Sequence, residues 1–154
     1  MGTNVEQGRW VMAGGLDPRI PVSVGELVDK MTILDLKRER IVDAVKLAHI
    51  CDELALLRTI FAEVLPTPPA RLAELTAELS RANQAIWDVE EGVRRCEARG
   101  DFGPEFIEMA RAVYRWNDRR AALKRAINEL CGSRIIEEKS HPLEWIALDG
   151  QTTA

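Results

Sequence analysis

The chain has 154 residues, 30% of them charged and 46% hydrophobic, with a formal net charge of -4. That length suits one domain with a sizeable core. The acidic balance argues against a general nucleic-acid binder, which carries a basic footprint. The cysteines Cys51, Cys96 and Cys131 are odd in number and lack paired spacing. A disulfide framework or a zinc site is therefore disfavoured, and a reducing compartment is expected.

Residues 1–19 contain glycines and show no period, so they are read as an irregular N-terminal segment. Ser23-Val24-Gly25-Glu26 then has capping-box spacing, in which the hydroxyl accepts the Glu26 N–H and the carboxylate reaches back. The first helix follows, with Leu27, Met31, Leu34 and Ile41 on one seam. Arg38 occupies the seam position between Leu34 and Ile41. Ile33 and Leu36 place apolar groups on other faces, so this helix is expected to be central or to supply a subunit contact.

Ile50, Leu54, Leu57, Phe61 and Val64 form a second seam, out of phase with the first. The slip predicts a kink or break near residues 43–50. Pro66, Pro68 and Pro69 end this segment, because proline lacks a donor and clashes with a continuing helix.

The third helix carries an unbroken three-four alternation through Leu72, Leu75, Leu79, Ala82, Ile86, Val89, Val93 and Cys96. Gly100-Asp101-Phe102-Gly103 closes it, and Pro104 opens a fourth helix that stops at Gly132. Each is about 40 Å long at 1.5 Å per residue. A short link between two such helices predicts an antiparallel hairpin. The third helix is net acidic and the fourth net basic, which favours their pairing.

Beyond residue 133, Pro142 interrupts the chain and Trp145-Ile146-Ala147-Leu148 is apolar. This tail is expected to pack over the bundle or to form a short strand with residues 19–23. The expected fold is all-α: a helical bundle over 20–141 built on the long hairpin, a tail over 142–154, and extended segments only at the termini. No apolar run approaches the roughly 18 residues of a membrane helix, and the first residues lack a signal-peptide core. No membrane partner is expected, and the cytoplasm is the expected compartment.

The most informative side chain is Arg120. The fourth helix repeats apolar residues at Met109, Val113, Trp116, Leu123, Ile127 and Leu130, and Arg120 falls on that seam. An arginine in a helical core needs an anion in return for its lost hydration. Asp88, Glu91 and Asp118 are the carboxylates proposed to answer Arg120 or Arg38, which makes a buried polar network one reading. In the other, Arg38, Arg120 and Lys124 hold a small anionic metabolite between helices, with Asn117 as a neutral donor. Lys30, roughly on the face of Arg38, and Asp35 on the same helix complete the candidate set.

Routine catalytic chemistry is poorly represented. The only histidines are His49 and His141, and no glycine-rich loop cradles phosphate. No metal site and no cofactor are expected. Arginine and lysine inside a bundle match the helical chorismate mutases in chemistry but not in motif. Glu90, Glu91 and Asp118 lack the acidic spacing of the helical nucleotide pyrophosphohydrolases.

Four stretches carry a resemblance: Ile20 to Leu34 (IPVSVGELVDKMTIL), Ile86 to Glu91 (IWDVEE), Val113 to Ala121 (VYRWNDRRA) and Glu137 to Ser140 (EEKS). Together they resemble a small bacterial all-helical family of unknown function, across roughly residues 20–141. The resemblance implies that the polar clusters are family features and supplies no catalytic residue. The leading expectation is an interaction or assembly domain without its own catalysis, partnered by a second copy or another helical protein. The alternative is a small-anion binder or enzyme.

Overall fold

The computed structural model describes residues 18–138. Four helices follow in order: α1 (Val24–Arg40), α2 (Ala44–Val64), α3 (Arg71–Arg99) and α4 (Pro104–Leu130). Among the described residues there is no strand, and the fold is all-α as expected. The irregular segment expected at 1–19 and the tail expected at 142–154 fall almost wholly outside the described residues. Residues 18–23 and 133–138 are neither helix nor strand.

The turn chemistry explains the helix limits. Ser23 Oγ accepts the Glu26 N–H at 3.1 Å, but only this half of the capping box forms, because the Glu26 carboxylate turns to Lys124. The break before α2 comes earlier than the predicted 43–50, at residues 41–43. Asp43 causes it: its carboxylate accepts the Lys46 N–H at 2.9 Å and caps α2, where neither proline nor glycine is present. Gly100 closes α3 at φ 65°. The Asp101 N–H then reaches the Cys96 carbonyl at 3.0 Å, which satisfies one of the last orphan acceptors.

α3 and α4 form the predicted antiparallel hairpin. Arg99 and Glu105 approach to 3.7 Å beside the turn, Gly92 faces Met109, and Glu78 meets Arg119 at 2.6 Å farther along. α1 lies on the open end of the hairpin, running with α3 and against α4. Its N-terminus is held by α4 and the following loop: the Gly25 N–H donates to Asn128 Oδ1 at 2.6 Å and the Val24 N–H to Ser133 Oγ at 3.3 Å. At its C-terminal end α1 reaches Asp88 of α3 through Arg40.

The packed clusters lie at that end, although Ile86 and Cys96 of α3 are also buried toward the turn. Val28, Leu72, Leu75, Leu79, Ala82, Leu123 and Ile127 form the main cluster, and Leu34, Ile50 and Leu54 fasten α2 to α1. Nothing on α4 before Leu123 is buried. The turn half of the hairpin is therefore a two-helix protrusion, with Phe102, Ile107, Tyr114 and Trp116 exposed. The regular seam of α4 continues there, but it has α3 alone as a neighbour.

Candidate functional site

α1 has a second face beside its leucine seam. Gly25, Val28, Asp29, Thr32 and Leu36 are all buried. Asp29 is the carboxylate among them and is only 1% exposed. A buried carboxylate is tolerated when it is paired and its lone pairs are used, and both conditions hold here. Arg120 donates from Nε to Oδ1 at 2.9 Å and from Nη2 to Oδ2 at 2.6 Å, a bidentate fork. Asn83 Nδ2 donates to Oδ1 at 2.9 Å and to Thr32 Oγ1 at 3.0 Å. The Thr32 hydroxyl donates in turn to the Asp29 carbonyl at 2.8 Å. The bond from Asp29 raises the Arg120 pKa above the ordinary arginine value, although burial opposes it. One network thus joins α1, α3 and α4, and no buried side-chain polar atom among the described residues lacks a partner.

One turn along α4, Lys124 is buried as well. Its Nζ lies 2.5 Å from Glu26 Oε2 and 2.8 Å from Glu137 Oε2. Burial alone would lower its pKa, but the bonds from Glu137 and Glu26 outweigh it and hold the ammonium above the usual lysine value. Next to these groups is a cleft of about 550 Å³. Tyr114, Asn117, Asp118 and Ala121 of α4 line it, with Arg120 and Lys124, and Glu26 and Glu137 flank them. Asn117 Nδ2 bonds back to the Val113 carbonyl at 3.0 Å.

Of the residues singled out in the sequence, Asn117, Asp118, Arg120 and Lys124 are brought together on this cleft. The others lie elsewhere. Arg38 has a side chain 43% exposed and pairs with Asp35 at 2.9 Å; Asp35 also meets Arg58. α2 packs on the same seam through Met31, Leu34 and Ile41, yet the Arg38 side chain stays exposed and takes its partner from its own helix. Lys30 pairs with Glu53 at 2.7 Å on the surface. Asp88 answers Arg40, and Glu91 accepts the Trp87 indole N–H at 2.9 Å. Neither of these two carboxylates serves Arg120, and Asp118 makes no hydrogen bond or ion pair.

Sequence reasoning missed Asp29, Asn83, Glu26 and Glu137 as partners. A signal for Asp29 did exist: it shares one helical face with Gly25, Thr32 and Leu36, so a lone carboxylate there has to face the bundle. Among the described residues no group of histidine, cysteine and carboxylate side chains could hold a metal ion.

A family model described as a family of unknown function (DUF6165) matches residues 19–146. The chain belongs to this family. The DUF6165 match takes in all four helices, the Asp29–Arg120 network and the cleft. Neither a curated protein nor a solved structure matches the chain significantly. No described helix is long and apolar enough to cross a membrane.

Proposed function

We propose that this domain is a cytoplasmic helical interaction and assembly module without its own catalysis. The observation that carries the reading is the uncovered half of the hairpin. Ile107 is 53% exposed and Tyr114 50%, seven residues apart on α4. Phe102 and Trp116 add further apolar surface at the same end. Apolar groups clustered on a protruding element mark a surface used for association. The network at the other end acts as the rigid base, tying three helices together so that the hairpin is presented in one orientation.

The test is a photo-crosslinking amino acid placed at position 107 in cells, with position 81 of α3 as the control. A protein adduct from position 107, absent from position 81, is expected. No protein adduct from position 107 overturns the reading.

A second reading is favoured by the cleft itself, where Arg120, Lys124 and Asn117 stand beside the Tyr114 ring. It makes the domain a binder of, or an enzyme acting on, a small anionic metabolite. The pairing of both cations weighs against it, since an anion reaching Lys124 must displace Glu26 or Glu137. A thermal-shift screen of phosphorylated and carboxylated metabolites tests it, because a ligand selective for the folded state raises the melting temperature. No shift at millimolar concentration removes this reading.

A further inference from the structure

α4 carries a second stripe besides the one buried against α3. Ile107, Ala110, Tyr114, Asn117 and Ala121 follow at steps of three and four, the spacing of a helix-pairing seam. Ile107, Ala110 and Tyr114 are exposed, while Asn117 and Ala121 continue the stripe into the cleft. Arg111 and Asp118 flank it on the same side, each one residue after a stripe position. Neither side chain makes a hydrogen bond or ion pair, although the Arg111 carbonyl accepts from Arg115 Nε. They cannot easily serve each other: helical side chains lean toward the N-terminus, so Arg111 leans away from Asp118.

We propose that this stripe is where two copies of the chain meet, packed antiparallel about a two-fold axis beside Tyr114. The proposal rests on the interaction-module reading and names its partner. A two-fold axis midway between positions 111 and 118 sets Arg111 of each copy against Asp118 of the other, so one complementary pair is used twice. The same operation brings Ile107 of one copy to Ala121 of the other, at the cleft, and sets the two Tyr114 rings side by side. A parallel two-fold arrangement would carry the Arg111 and Asp118 edge of each copy to opposite sides of the seam, leaving neither charge a partner across it. Ala110 and Ala121 are small enough to let the helices approach. Asn117 is a polar residue at a seam position, a device that selects register and stoichiometry.

Charge-swap variants studied by sedimentation over a dilution series test the proposal. The wild-type chain is expected to dimerise, and R111D and D118R alone to associate at least about tenfold more weakly, since each sets like charges together twice. Mixing the two variants is expected to restore dimers, because the two acidic positions of one then meet the two basic positions of the other. A wild-type chain that stays monomeric at every concentration overturns the proposal. So does a pair of variants that dimerise normally alone, or that fail to recombine when mixed while circular dichroism shows both folded. Adducts from position 107 to a different protein, with a monomeric wild type, leave the interaction reading standing and remove the dimer. No adduct of any kind removes both.

Discussion

Arg120 and Asp29 lie 91 residues apart in the chain and meet through two parallel hydrogen bonds of 2.9 and 2.6 Å. The carboxylate is fully enclosed, whereas the Arg120 side chain keeps 27% of its exposure. The pair is thus asymmetric: Asp29 has no access to water if the partner is lost, and Arg120 has some. Breaking such a pair from one side costs more than the intact pair contributes, because it strands a desolvated group.

A double-mutant cycle measures this. D29N and R120M are each expected to destabilise the fold by roughly 3 kcal/mol in urea unfolding. The double variant is expected to lose at least about 1.5 kcal/mol less than the sum, since the stranded charges are removed together. Additive losses would show that the two residues are not energetically coupled.

Arg38 provides the contrast. It pairs only with Asp35 three residues earlier, and the two side chains are 43% and 34% exposed. R38A is expected to change stability by less than about 0.5 kcal/mol. A loss equal to that of R120M would overturn the surface assignment of Arg38.

Two glycines separate close backbone approach from ordinary helix packing. A methyl group on Gly25 would collide with the Lys124 carbonyl oxygen and come within 2.8 Å of Asn128 Oδ1. Backbone cannot yield as a side chain can, so G25A is expected to cost about 2 kcal/mol or more. A methyl group on Gly92 meets the flexible end of Met109. There the gain of up to about 1 kcal/mol in helix propensity offsets the adjustment. G92A is expected to melt within a few degrees of wild type, and thermal denaturation of both variants distinguishes the two cases.

Lys124 links stability to alkaline pH. Its folded-state pKa is raised, so the folded protein binds this proton more tightly than the unfolded chain does. The stabilisation is fully present below the unfolded value of about 10.4 and is lost as pH climbs through the folded-state value. The stability difference between wild type and K124M is expected to be constant from pH 7 to about 10 and to shrink above it. A difference that grows with pH in the alkaline range would reverse the assigned sign.

Much of the fold was legible along the chain. The unbroken leucine alternation of α3, the glycine turn and Pro104 specify the hairpin, because each is a local instruction. The break before α2 lies slightly earlier than the expected stretch, since an Asp43 cap is a quieter signal than a glycine or proline. The site was half legible. Arg120 stands out because a charge interrupts an apolar period, but Arg38 interrupts one too and stays on the surface, because a long side chain can leave a covered seam for solvent. Asp29 is inconspicuous in the sequence because it interrupts no apolar run.

The sequence alone thus determined four helices, the hairpin of α3 and α4, and the need of Arg120 for an anion. All three follow from periodicity and turn chemistry within short stretches. Only the tertiary structure decided that Asp29 supplies the anion and that Glu26 and Glu137 take Lys124. Those choices depend on the rotation and height at which α1 docks on the hairpin. That docking is set by the Gly25 approach to α4 and the shared core, and by no local pattern in either helix.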